Sequence, residues 1–162
     1  GEASAQADEI ITAIEDIHRF APHFKIGLHT NGCFPENLKK LSPYIDWIGF
    51  DIKAPCEKYY EITKVKGSGE QAFESLTYLL SQNKDLEVRT TADPTVLTKS
   101  DILEIAETIT KLGVKKYAVQ RYRPVEKDNP ANPSQQMIMQ FFTDKDFIEK
   151  LKSIVKELEL RY

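Results

Sequence analysis

Segments of helical period and segments of strand period alternate along this chain, and that alternation constrains its fold more than any other feature. Ile10, Ile14, Ile17 and Ala21 recur at helical spacing until Pro22 closes the segment. Residues 25–30 read as a strand with Asn31-Gly32 as its turn, and Pro35 can open a short helix through Leu41. A second strand spans 46–53, and a polar, glycine-containing stretch at 64–69 precedes a helix carrying Phe73, Leu76 and Leu80. A third strand at 86–91 is ended by Pro94; the next helix begins near Ser100, buries Ile102, Ile105, Ile109 and Leu112, and stops at Gly113. Residues 116–122 form a fourth strand and 124–142 a loop, rich in proline and asparagine up to Pro133. Residues 143–160 complete the chain as a helix with Thr143 as N-cap and Phe147, Leu151, Ile154 and Leu158 as its buried stripe.

Strands separated by helices imply parallel pairing with right-handed crossovers. The expected fold is therefore α/β: about four parallel strands in the order 1-2-3-4, curved, with helices on the outer face. No linker divides the chain, so residues 1–162 read as one domain, with its βα units in 1–124. Four strands are too few to close a barrel, and the opening helix has no strand before it. The chain reads as a piece of something larger, with an open sheet edge that invites self-association.

Composition removes several classes of function. A net charge of -3, from 22 basic and 25 acidic residues, gives no electrostatic case for nucleic acid or an anionic membrane. No apolar run reaches the ~18 residues of a membrane-spanning helix. Cys33 and Cys56 have neither a disulfide framework nor metal-ligand spacing, and two free thiols suit a reducing cytoplasm. His29 reads as a hydrogen-bonded structural residue, Tyr59-Tyr60 as loop packing against the rim, and 64–66 as a solvated charge run.

The chemistry gathers where strands end. Ile48, Phe50 and Ile52 form one apolar face of the second strand, and Gly49, Asp51 and Lys53 point the other way. In a helix-flanked parallel sheet the C-terminal strand ends are where ligands bind. Thr30 and Asn31 lie at the end of the first strand, Arg89 and Thr91 on the third, and Gln120, Tyr122 and Arg123 on or after the fourth. Cations there suit a carboxylate, and Asp51 or Glu2 an amino group, so the set fits a zwitterion. Equally, Asp51, Lys53 and Arg89 could simply neutralise one another. Lys53 with Asp51 also fits a Schiff-base lyase or aldolase, and an open sheet edge fits a non-catalytic interaction module.

In order and spacing, several motifs resemble the radical S-adenosylmethionine (SAM) proteins that activate glycyl-radical enzymes. They are Gly1-Glu2, Thr30-Asn31-Gly32, Asp51-Ile52-Lys53-Ala54-Pro55, Tyr60-Glu61-Ile62-Thr63, Arg89-Thr90-Thr91, and Gln120 with Pro124. The nearest likeness is to the activating protein of anaerobic ribonucleoside-triphosphate reductase, and it covers residues 1–124. The resemblance implies a partial TIM-like barrel, reductive cleavage of SAM by a [4Fe-4S] cluster, and hydrogen-atom removal from a glycine of the partner. By position it implies Glu2 at the SAM amino group, Thr30 and Asn31 beside SAM, and Asp51 and Lys53 at its ribose and carboxylate. Arg89, Gln120 and Arg123 complete the SAM set, although Arg123 stands where formate-lyase activators have histidine. The family's CxxxCxxC cluster loop would precede Gly1, and Cys33 and Cys56 cannot replace it. The resemblance therefore gives this chain no metal ligand and no catalytic residue. It implies the C-terminal part of an activase, not active alone, whether an expression fragment, a split-gene product or a degenerate relative.

Overall fold

The computed structural model describes residues 2–124 and 129–162; within the expected 124–133 stretch, 125–128 lie outside the described residues, as does Gly1. After a single 3-10 turn at Ala3–Gln6, the elements are α1 (Ala7–Phe20), β1 (Gly27–Thr30), α2 (Pro35–Leu41) and β2 (Trp47–Asp51). They continue with α3 (Tyr59–Thr63), α4 (Ser68–Ser81), β3 (Asp85–Ala92), α5 (Lys99–Lys111) and β4 (Lys116–Arg121). The chain ends in α6 (Gln135–Thr143), α7 (Lys145–Ile154) and β5 (Glu157–Arg161). The fold is the expected α/β, with the strands in one parallel sheet of order β1-β2-β3-β4-β5.

The strand parity divides the sheet into two unlike faces. Leu28, Ile48 and Leu86 stand in register, as do Phe50, Val88, Tyr117 and Leu158, and Val119 with Leu160. These pack into one apolar core with Leu38, Leu76, Leu79, Ile102, Ile105, Phe141 and Leu151 from the helices. No strand position of the opposite parity belongs to that core among the described residues. The opposite face carries His29, Asp51, Glu87, Arg89, Thr91, Gln120, Glu159 and Arg161, a polar surface on one side of a sheet whose other side is dry.

Several expectations need correction. The final segment is not one helix over 143–160: α7 ends at Ile154, Val155 is extended, and Leu158 lies on β5. Glu157-Leu158-Glu159-Leu160-Arg161 alternates with period two, and pairing with β4 satisfies its backbone, so the strand wins over the continuing helical stripe. The N-cap of α7 is Asp144, which accepts from the Phe147 N–H, and not Thr143. The expected loop at 124–142 contains α6, capped by Ser134 and anchored through Ile138, Phe141 and Phe142. The sheet has five strands where about four were expected. Leu112 is also outside the core, 38% exposed just past the end of α5. No described helix is long and apolar enough to cross a membrane.

The turn after β1 is held by close packing. Gly32 has φ +72, and a Cβ there would stand 2.4 Å from Phe50 Cζ and 2.9 Å from Ser75 Cβ. Gly32→Ala would add left-handed strain to a clash inside the core, a destabilisation of about 2–4 kcal/mol. Urea unfolding should show that loss; a loss within the error of the parent measurement would mean the turn rearranges at no cost.

Candidate functional site

The site is built from the segments at the ends of β1 and β2. At β1, the Glu2 carboxylate reaches across from the 3-10 turn and fastens the strand end. Its Oε1 accepts from Thr30 Oγ1 at 2.7 Å and from Ser4 Oγ at 2.8 Å, and its Oε2 accepts from the Asn31 N–H at 2.9 Å. Thr30 Oγ1 then accepts from the Gly32 N–H at 3.0 Å, and Ser75 Oγ on α4 donates to the Gly32 carbonyl at 2.7 Å. Burial disfavours the charged form of Glu2, but hydrogen bonds from Asn31, Thr30 and Ser4 outweigh it and hold the carboxyl below its ordinary range. Thr30 is 2% exposed, so its hydroxyl is a strut within the clamp and not a surface group.

At β2, Asp51 stands in register with Arg89 on β3. Arg89 Nε donates to Asp51 Oδ1 at 2.9 Å and Nη2 lies 2.7 Å from the same oxygen, which leaves Oδ2 with no hydrogen bond or ion pair among the described residues. The guanidinium lies over Gly49: a Cβ there would meet Arg89 Cζ at 2.9 Å and His29 Nδ1 at 2.6 Å. Glycine is what lets the arginine lie down on the sheet. The Arg89 side chain is 10% exposed against 43% for Asp51, so the pair presents its carboxylate outward. Lys53 takes no part in this neutralisation: it is exposed and forms no ion pair among the described residues. It also lacks the apolar enclosure that activates a Schiff-base lysine.

Lys53 separates two clefts. One, of about 200 Å³, opens on the polar face between Asp51, Arg89, Thr91 and Tyr122. The other, of about 430 Å³, lies between the β1 turn and the α3–α4 segment. The Lys53 backbone is fixed between them, because its N–H donates to the Tyr59 phenol oxygen at 3.0 Å.

The structure therefore joins Glu2, Thr30 and Asn31 into one unit and Asp51 with Arg89 into another, with Lys53 beside both. Gln120 lies on the polar face in register with Thr91 and Arg161, away from the Asp51 cleft lining. Arg123 is exposed and donates to the Tyr162 carbonyl at 3.2 Å, beyond the other candidates. The hydrogen bond expected of His29 is not formed among the described residues; its ring instead packs edge-on against Trp47, with centroids 5.3 Å apart. Two participants were not foreseen: Gly49 as the seat of Arg89, and Tyr59 as the support of Lys53. The apolar run hid the first, and the second needs the α3 turn to bring residue 59 back to residue 53. Among the described residues, no three His, Cys, Asp or Glu side chains cluster as a metal would require.

No family model matches the chain. A Methanocaldococcus jannaschii protein, provisionally described as a glycyl-radical enzyme activating enzyme, is 31% identical over 132 residues. The match takes in 76% of this chain and 52% of that protein, so the chain spans about half the length of the curated relative. Among solved structures, a domain of the pyruvate-formate lyase-activating enzyme of Bacteroides vulgatus has TM-score 0.75 at 12% identity, over 100% of this chain and 95% of that one. A structure of Streptococcus suis SuiB bound to S-adenosylmethionine has TM-score 0.63 at 11% identity, over 93% of this chain and 34% of that one. The structural likenesses establish the class of fold: an α/β fold shared with both of these solved structures. In sequence the chain is similar to a glycyl-radical enzyme activating enzyme over three quarters of its length.

The Glu2 clamp has a testable pH signature. Because its folded carboxyl titrates below the ordinary value of 4.5, its stabilisation is complete above that value and is lost as pH falls through the folded value. Glu2→Gln should cost about 1–3 kcal/mol at pH 7, and the difference from the parent should shrink as the pH is lowered below ~4. Chemical denaturation across this range checks it; a difference that is absent at pH 7, or constant down to pH 3, would contradict the clamp.

Proposed function

We propose that this chain is the SAM-receiving part of a radical SAM activating enzyme whose partner is a glycyl-radical enzyme. The observation that carries the reading is the grouping at the C-terminal end of β2: an Asp51 carboxylate held by Arg89 through one oxygen, with the Lys53 ammonium, unpaired among the described residues, two residues on. A sulfonium amino acid joined to a nucleoside asks for such groups. Lys53 supplies a cation for its carboxylate, and Asp51 Oδ2 an acceptor for ribose hydroxyls. Glu2 Oε2, which accepts only the Asn31 N–H among the described residues, keeps lone-pair capacity for the ammonium. Thr30, Asn31 and Arg89 position these three, and Gln120 adds an amide to the same polar face. The sequence likeness to the M. jannaschii protein and the fold shared with the SAM-bound SuiB structure support the reading.

The residues present do not fit a [4Fe-4S] cluster. Burial pushes both thiols up, Cys33 and Cys56, and no third ligand stands beside them among the described residues. The chemistry SAM supplies in such enzymes is removal of a hydrogen atom from the partner's glycine, and anaerobic ribonucleoside-triphosphate reductase is the partner the motif resemblance favours.

Binding tests this without any turnover. SAM titrated into the chain should shift the amide resonances of Asp51, Lys53, Thr91 and Tyr122, and Lys53→Ala should weaken it about fivefold or more. The reading fails if SAM shows no saturable binding up to about 10 mM, where even a ~3 kcal/mol site registers. It fails also if Lys53→Ala binds as the parent does.

A further inference from the structure

The larger cleft, on the other side of Lys53, shares Lys53 and Asn31 with the proposed SAM set but is not lined by Asp51, Arg89, Thr91 or Tyr122. It holds about 430 Å³, within the ~300–1,000 Å³ range of small-molecule sites. Phe34 and Val65 give it apolar walls; they are 41% and 56% exposed, large side chains that the core leaves uncovered. Its polar lining includes several donors, beside the Thr63 and Ser68 hydroxyls that bond each other at 2.7 Å. The Asn31 side-chain oxygen already accepts from the Cys33 N–H at 3.0 Å, and the Asn31 amide nitrogen has no acceptor among the described residues. Tyr59 is 3% exposed, and its oxygen accepts from the Lys53 N–H, yet its own proton has no acceptor among the described residues. A buried hydroxyl proton without an acceptor costs free energy until one arrives. Gln71 adds a second amide and Lys53 the one charge. In a chain with 25 acidic residues, none of the residues lining this cleft is acidic.

We infer that this cleft is a second small-molecule site, selective for a carboxylate on an apolar body. The carboxylate sits between the Lys53 ammonium, the Tyr59 O–H and the Asn31 amide, and the body lies against Phe34 and Val65. The inference stands on the cleft alone and does not depend on SAM binding. Lys53, which lines both clefts, is the element the two sites would share.

Phenylacetate and its neutral isostere phenylacetamide are suitable probes, followed by amide resonances of the full chain. Phenylacetate should saturate in the millimolar range with shifts centred on Asn31, Tyr59 and Gln71, and phenylacetamide should bind about fivefold or more weakly. Lys53→Met should erase that preference. Tyr59→Phe keeps the ring that packs edge-on against Phe73, 6.2 Å away, and should weaken phenylacetate about threefold. Equal binding of the two probes, shifts centred elsewhere, or no saturation by about 20 mM would overturn the site. These outcomes come from the parent chain and need no variant to fold. SAM added alone separates the two clefts: shifts at Thr91 and Tyr122 with none at Gln71 leave the second site distinct, whereas shifts centred on Gln71 would overturn its independence.

Discussion

The Arg89–Asp51 pair, laid across Gly49, is the contact on which the polar face of this sheet depends. A guanidinium nine-tenths out of water is costly unless an anion meets it, and removing that anion would leave about 3–5 kcal/mol of uncompensated charge. The parallel register supplies the anion by placing Asp51 directly opposite Arg89. Gly49 supplies the room, since any side chain there would meet the guanidinium carbon at 2.9 Å. One pair thus ties β2 to β3 at the level where both strands approach the rim. It also leaves a carboxylate oxygen and a lysine facing outward, and these are what the proposed ligand would meet.

A second anchor works on the neighbouring strand by different means. Among the described residues Glu2 is not paired with a cation; it gathers N–H and O–H donors from Ser4, Thr30 and Asn31. Through Thr30 the clamp reaches Gly32, and through Gly32 it reaches Ser75 on α4 and the ring of Phe50. The turn after β1 is thereby coupled to both the helical layer and the sheet. Two strand ends, one held by an ion pair and one by a half-buried acid, frame Lys53 between them. Site groups held on strands in this way keep their geometry better than groups on free loops.

Local periodicity made most of the fold legible. Ile48 and Phe50 announced which face of β2 meets the helices, and Ile102, Ile105 and Ile109 did so for α5; all five are fully buried. The misreadings fall where two periods coincide or where a cap is ambiguous. Leu158 fits the stripe of Phe147 and Leu151 as well as it fits the alternation of β5, and only pairing with β4 decides between them. Ser134 caps α6 inside a stretch whose prolines read as loop. Spacing singled out the candidate residues and left neutralisation of Asp51 by Arg89 open as one of two readings; it did not show the other roles. Thr30 is a buried strut and Arg123 a remote surface contact, because those outcomes depend on long-range contacts and on atoms from Glu2 and Tyr162. Tyr59 was invisible as a support, since its phenol meets Lys53 through a turn that no pattern announces.

The central claim is that the polar face at the strand ends, and not the helical layer, receives a nucleoside-bearing ligand. A crystal structure of the chain grown with S-adenosylmethionine tests it most directly. The account predicts density on the polar face, with ribose oxygens against Asp51 Oδ2, the carboxylate within reach of Lys53, and the Arg89–Asp51 pair intact. Density seated among the helices, or a ligand that displaces Arg89 from Asp51 to bind, would contradict it.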